Sequence, residues 1–426
     1  MSLRLFEGPA GSGKTTRLFE ALASALAERP LATHERVLAL TKMHGSRRRM
    51  QGRLLAMSEL RGHFECITMD SLAWRVCQRW RSLARAKGLG EVREADYAEV
   101  CRFAGALLQD SAVRQWLSWA FPFLVVDESQ DSKDGQLDII RALSGSANCF
   151  MAADDYQDLD ATGENAAVAW ARQAGDIVTL THNHRTSAAG LLAAASALRE
   201  GRAVPGNGGG FVILGAQNHN VGAGHLSRNL TWWNAGDDIA VITPVRPANS
   251  QFVRGVVARV EQRPIGNPPV GPHRIPWEVS QEDQYEQLIA ELGLPADPET
   301  ELLASGLQLP DFGAISTALS AWIDQRRRVA GLTTVTVHEI HQQVRRVHQR
   351  SRAYRRVRER GVRAMTIHQA KNREFDSVIV LWPYEVAGAA DRQRRLLYNA
   401  ITRAKRQTVV IVQNPARLRQ PPFVPE

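Results

Sequence analysis

The sequence predicts an α/β protein with two successive parallel-sheet cores, and three observations carry that prediction. Short apolar runs rich in leucine and β-branched residues alternate with helix-forming segments along most of the 426 residues. A glycine-rich loop of spacing GxxxxGKT joins the first such run to the first helix. The runs then continue past the length of one nucleotide-binding core: those at 211–214, 239–242, 377–381 and 408–412 imply a second.

Taken in order, Leu3, Leu5 and Phe6 form the first strand and lead into Gly8-Pro9-Ala10-Gly11-Ser12-Gly13-Lys14-Thr15-Thr16, after which a helix begins over 18–23. Glycines permit turns closed to residues with a Cβ, so successive N–H groups converge on one anion while the helix N-terminus adds partial positive charge. Lys14 then reaches the β- and γ-phosphates of a nucleoside triphosphate, and Thr15 offers a hydroxyl to Mg²⁺.

The run at 36–41 predicts a buried parallel strand, and the basic stretch from Lys42 to Arg49 follows at its carboxyl end, where open α/β sheets place their ligands. That stretch faces a phosphate chain or simply solvent; the residues alone leave both open. Cys66-Ile67-Thr68-Met69 predicts another strand, and the arginine- and alanine-rich stretch 74–119 has helical spacing throughout, the mark of a helical insertion. The run at 123–126 then ends in Asp127-Glu128-Ser129-Gln130-Asp131. Two acids at the end of a buried strand beside a phosphate loop divide the work: Asp127 is assigned to the metal and Glu128 to the base that activates the attacking water. The pattern repeats at 149–153, before Asp154-Asp155-Tyr156-Gln157, and at 177–180, before His182-Asn183-His184-Arg185.

In the second half, the glycine cluster 206–210 predicts a loop, 263–276 is proline-rich, and a second helical insertion runs to about 360. Within it Ile340, Val344, Val347, Tyr354 and Val357 share one helical face and Arg345, Arg352 and Arg356 the opposite one, either a solvated charged surface or a nucleic-acid contact. A net charge of +9 suits a polyanionic partner without requiring one. The four cysteines are scattered with no CxxC pair, which argues against a zinc site or a disulfide framework and fits a reducing, cytoplasmic setting. No apolar run is long enough to span a bilayer and the phosphate loop starts too early for a signal peptide, so no membrane association is expected.

The ordered set of motifs resembles the UvrD/Rep-type helicases of superfamily 1, over both cores. The phosphate loop is similar to motif I, Leu40-Thr41 with the basic loop after it falls at motif Ia, and Thr68 lies in a Ic-like stretch. The run 127–131 resembles the DExQD form of motif II, 154–157 motif III, and Asn183-His184-Arg185-Thr186 motif IV. The stretch 365–375, with the pattern TxHxAKxxEF, resembles motif V, and 397–405, with YxxxTRA, motif VI.

The resemblance implies two RecA-like P-loop NTPase domains with parallel sheets and small helical insertions: 1–180, with its insertion at about 74–119, and 181–426, with a reduced insertion at about 263–360. It places ATP and Mg²⁺ in the cleft between them. Gln130 and Gln157 would sense the γ-phosphate, Arg185 and Arg403 would approach it as arginine fingers, and Glu374 would contact the ribose. Thr41, Thr68, Thr366 and His368 would touch the backbone of a nucleic-acid strand. The implied function is an ATP-dependent DNA translocase or helicase, moving 3′ to 5′ on single-stranded DNA or a tailed duplex. The alternative is a nucleotide-switched DNA-binding subunit that partners a nuclease, for example in anti-phage defence. Two departures stand out: Asn372 takes the place of the usual motif V glycine, and the stacking aromatics of motifs Ia and III are replaced, which leaves Tyr156 and Trp382 as substitutes.

Overall fold

A computed structural model describes residues 2–42, 44–90, 97–160, 163–233, 236–278, 281–307, 309, 314–354 and 361–425, with the backbone alone described at 44–46, 281–284, 314, 330 and 348–354. Strand β1 (Leu3–Glu7) enters the glycine loop and helix α1 (Lys14–Glu28), whose Leu18, Phe19, Leu22 and Leu26 recur at helical spacing and bury one face. Strand β2 (Val37–Thr41) is buried at every residue, as an inner parallel strand covered on both faces must be. There follow α2 (His44–Ala56), β3 (Phe64–Thr68), and four helices, α3 (Met69–Arg79), α4 (Arg81–Ala86), α5 (Tyr97–Leu107) and α6 (Ser111–Ala120). The core resumes with β4 (Phe123–Val126), α7 (Gly135–Ser144), β5 (Asn148–Ala153), α8 (Ala166–Ala174) and β6 (Asp176–Thr179).

These six strands form one parallel sheet in the order β3-β2-β4-β5-β1-β6. Its register carries the carboxyl ends of β1, β4 and β5 to one rim, so the glycine loop, Asp127-Glu128 and Asp154 meet there although they are far apart in sequence. The inserted helices are a layer of this core: Leu72, Val76, Val100, Phe103 and Leu107 join Leu124, Val126 and Met151 in one buried cluster.

The second core opens with α9 (Ala189–Arg199), β7 (Phe211–Ala216), α10 (His219–Trp232), β8 (Ile239–Thr243) and α11 (Gln251–Gln262). The proline-rich segment stays with it: Ile275 is buried among its side chains, and the Ala364 N–H donates to the Pro276 carbonyl at 2.9 Å. From Glu278 to Glu359 the chain forms a separate compact unit, while Met1–Trp277 and Arg360–Glu426 make up the other. The smaller unit holds α12 (Gln281–Leu292), β9 (Glu301–Leu303), α13 (Ala314–Ala330), β10 (Thr334–Thr336) and α14 (Val337–Tyr354), with β9 and β10 paired antiparallel. Leu319, Ile323, Val335, Ile340 and Val344 are its core, and the Arg345 guanidinium lies 4.9 Å over the Tyr285 ring. Of the two expected faces, Arg352 on the arginine face and Tyr354 on the apolar face lie outside the residues whose side chains are described, and Arg356 and Val357 outside the described residues altogether.

The chain then completes the second sheet with β11 (Val362–Thr366), α15 (Ile367–Ala370), β12 (Phe375–Trp382), α16 (Ala390–Ile401) and β13 (Ala404–Gln413). Its five parallel strands run β11-β8-β12-β13-β7. The fold is therefore mixed α/β with two parallel sheets, the arrangement of two RecA-like cores.

Candidate nucleotide and nucleic-acid site

Gly11 and Gly13 sit at φ of 83° and 82°, the left-handed region that side chains with a Cβ rarely adopt. Space demands glycine as well, because a Cβ at Gly11 would fall 2.7 Å from the Cβ of Arg185. The segment from Asn183 to Arg185 is stitched onto the loop: the His184 N–H donates to the Gly11 carbonyl at 2.8 Å and Asn183 Nδ2 to the Ala10 carbonyl at 2.7 Å. Lys14 Nζ donates to the Gly8 and Pro9 carbonyls at 2.8 and 2.9 Å. Burial holds the Lys14 pKa below the ordinary lysine value, against the opposing pull of Asp154, Glu128 and Asp127.

Thr15 Oγ1 lies 3.3 Å from Asp127 Oδ1. A hydroxyl and a carboxylate so placed are hard oxygen donors of the kind Mg²⁺ takes when phosphate oxygens and water complete its shell. Among the described residues there is no cluster of three or more His, Cys, Asp and Glu side chains that could hold a metal. Burial, and next the neighbouring Glu128, push the Asp127 pKa up to about 6. Burial acts on Glu128 in the same sense, but Lys14 and a hydrogen bond from Gln130 overcome it and hold this carboxyl below its usual range.

Lys14, Thr15, Asp127, Glu128 and Gln157 line one cavity of about 320 Å³ together with Arg185, Glu374 and Arg403. Arg185 donates from Nε and Nη2 to Glu374 Oε1 at 3.0 and 2.8 Å, and from Nη1 to the Thr402 carbonyl at 2.8 Å. Arg403 is 2 % exposed and donates from Nε to the Asn399 carbonyl at 3.0 Å. Burial, then the nearby Arg185 charge, lower the Arg403 pKa to about 10, which still leaves it a cation at neutral pH. Among the described residues Gln157 Oε1 is buried without a hydrogen-bond partner while its residue lines the cavity, a placement that suits a ligand.

Gln130 is placed differently from its expected role. It is 0 % exposed and absent from the cavity wall; Nε2 donates to Glu128 Oε2 at 2.7 Å, and Oε1 accepts from the Asp154 N–H at 3.1 Å. Its position is that of a brace behind Glu128. Tyr156 and Trp382 are also out of reach of a base: both are buried, and the Tyr156 hydroxyl donates to the Leu198 carbonyl at 2.6 Å. Burial of their rings in the second core's cluster removes them as stacking platforms.

Thr41, Thr68 and Thr366 end strands β2, β3 and β11, and His368 follows in α15. Two of the hydroxyls are engaged as helix N-caps: Thr68 Oγ1 accepts from the Ser71 N–H, and Thr366 forms a capping box with Gln369. Among the described residues Thr41 Oγ1 is buried with no partner, and His368 is exposed. The Thr68 and Thr366 hydroxyls are therefore occupied by their own helix N-termini. Asn372 has φ of 62°, a conformation that asparagine is among the few side chains to tolerate.

Sequence reasoning gave no assigned site role to several residues at the cavity, although Arg49 belongs to the basic stretch read as facing a phosphate chain or solvent. Arg49 and Arg53 reach its wall from α2, as do His184, Asn372 and Lys405 from elsewhere, and Arg53 Nη1 donates to Thr16 Oγ1 at 3.2 Å. The i, i+4 spacing of Arg49 and Arg53 was the available signal.

Residues 361–411, from the start of β11 into β13, match the UvrD-like helicase C-terminal domain family. Among solved structures the chain is similar to the crystal structure of Arterivirus nonstructural protein 10 (helicase), at 12 % identity and a TM-score of 0.38, covering 96 % of this chain and 59 % of that one. The chain thus spans less than two thirds of that protein's length. No curated protein matches. No described helix is long and apolar enough to cross a membrane. The matched segment carries Lys371, Glu374, Tyr398 and Arg403, so over residues 361–411 this chain is similar to UvrD-like helicase C-terminal domains.

Proposed function

We propose that this protein is an ATP-dependent DNA translocase of the UvrD/Rep type, moving 3′ to 5′ on single-stranded DNA. The observation that carries the reading is the one cavity shared by Lys14, Asp127 and Glu128 with Arg185 and Arg403. In this reading 1–180 and 181–426 are the two motor domains, with insertions at 74–119 and 263–360. Residues 8–16 hold the phosphates, with Lys14 at the β- and γ-groups, and Thr15 and Asp127 hold Mg²⁺. The ion, when bound, neutralises phosphate charge and orients the γ-phosphate. Glu128, kept ionised at neutral pH, accepts the proton of the attacking water. Gln157 contacts the γ-phosphate, while Arg185 and Arg403 stabilise charge on its equatorial oxygens. Glu374 contacts the ribose and aims Arg185. Arginines delivered from a second core act only while the cleft is closed, so each hydrolysis releases the closure and advances a strand lying along Thr41, Thr68, Thr366 and His368.

Steady-state ATPase assays with single-stranded DNA, duplex DNA and RNA test this. Single-stranded DNA should stimulate hydrolysis strongly, and Lys14→Ala or Glu128→Gln should abolish it. A rate indifferent to every nucleic acid would defeat the proposal. A second reading is favoured by the burial of Tyr156 and Trp382, which leaves neither to stack on a base at each step: a nucleotide-switched DNA clamp that partners a nuclease. Efficient strand displacement by the chain alone on a tailed duplex would exclude it.

A further inference from the structure

A chain of buried hydrogen bonds links the phosphate loop to Glu128 through the second core. The Ala10 N–H donates to the Tyr398 hydroxyl at 2.8 Å, and that hydroxyl donates to Asp154 Oδ2 at 3.0 Å. The Asp154 N–H donates to Gln130 Oε1 at 3.1 Å, and Gln130 Nε2 to Glu128 Oε2 at 2.7 Å. Tyr398 is 0 % and Asp154 1 % exposed, so neither hydroxyl nor carboxylate can exchange its partner for water. Arg199 closes the cluster: it pairs with Asp154 Oδ1, and its guanidinium lies 5.5 Å over both the Tyr156 and Tyr398 rings, which meet edge to face at 5.1 Å.

A phenol hydroxyl has one proton to give and lone pairs to receive. Here the proton goes to the carboxylate and a lone pair receives the loop amide, so the hydroxyl can fix the loop only when the second core is seated against the first. We propose that Tyr398 is a positioning residue: its hydroxyl, oriented by Asp154, sets the conformation of the phosphate loop at Ala10, and so makes a well-formed nucleotide site conditional on closure of the two cores. This rests on the nucleotide-site reading above. Tyr156 serves as the control, because its hydroxyl also bridges to the second core, at Leu198, yet touches no loop atom.

The test is amide hydrogen exchange of the loop in the full-length protein without nucleotide, for wild type, Tyr398→Phe and Tyr156→Phe, followed by titration with a fluorescent MgATP analogue. Tyr398→Phe should speed exchange across residues 8–16 and weaken binding by about tenfold, whereas Tyr156→Phe should leave loop exchange at the wild-type rate and shift affinity by less than about threefold. Unchanged loop exchange in Tyr398→Phe, or equal acceleration in both variants, overturns the inference. Should Tyr398→Phe fail to fold, the wild type decides: an Ala10 amide exchanging at the rate of an unprotected loop refutes the contact. Wild type that binds no MgATP defeats the nucleotide reading, while the exchange comparison, which needs no ligand, still reports on Tyr398.

Discussion

Replacing Gln130 separates two physical roles for the same side chain. As a γ-phosphate sensor it would distinguish ATP from ADP; as a brace, the position it takes in the structure, it would hold Glu128 in place as the proposed base. Gln130→Ala removes a donor 2.7 Å from a half-buried carboxylate, a hydrogen bond to a charged group worth about 1.5–3 kcal/mol. If that energy is expressed in the transition state, kcat falls roughly 10- to 150-fold at 1.36 kcal/mol per decade. The substitution also strands the Asp154 N–H, adding about 1–3 kcal/mol of destabilisation. Single-stranded-DNA-stimulated ATPase kinetics, with separate Kd measurements for ADP and a non-hydrolysable ATP analogue, resolve the two. The structure predicts reduced kcat with the ratio of the two Kd values preserved. Normal kcat with a collapsed ratio would refute the brace and restore the sensor.

Other perturbations probe neighbouring contacts. Gly11→Ala combines a φ of 83° with a Cβ 2.7 Å from that of Arg185, so it should displace Arg185 and eliminate DNA-stimulated hydrolysis, with a melting curve confirming that the fold survives. Lys371→Ala leaves Asp131, 6 % exposed at its side chain and paired with Lys371 at 2.5 Å, without its counter-ion; removing one partner of such a pair costs about 3–5 kcal/mol, readable as a lowered urea midpoint. The Asp154 carboxyl sits below its ordinary value of 3.8, because Lys14 and Arg199 outweigh the burial that would raise it. A depressed folded value means that its contribution is complete above 3.8 and is lost as pH falls through the folded pKa, so Asp154→Asn should be destabilised at neutral pH and converge on wild type upon acidification. A gap that widens in acid would contradict that sign.

The sequence made the site legible wherever local chemistry is tied to local geometry. A glycine loop between strand and helix, and acids ending a strand of four buried residues, can be recognised from neighbours in the chain, and the sheet order then brings them together. The same reasoning missed β11, because an edge strand carrying Arg363 lacks the continuous apolar run of an inner strand. It read the second insertion as helical throughout, since β9 and β10 are three residues each and too short to show a period of two. Gln130 was legible as a polar residue near the acids but not as a brace, because its contact with Asp154, just past the end of β5, depends on strand pairing rather than on sequence spacing. Tyr398 and Asp154 are 244 residues apart, and nothing local to either announces their bond.

The distribution of buried polar groups explains why so many contacts invisible in sequence converge on this cleft. The Asp131 and Asp154 carboxylates, the Tyr398 hydroxyl and the Arg403 guanidinium are all buried. Each would oppose closure if left unpaired, since a stranded buried polar group costs about 1–3 kcal/mol and a stranded charge more. Each finds a partner: Lys371 for Asp131, Arg199 and Tyr398 for Asp154, the Ala10 amide for Tyr398, and the Asn399 carbonyl for Arg403. Several of these bonds cross between the cores, so a small relative displacement strands several groups together. Closure is then favoured as a whole or opposed as a whole.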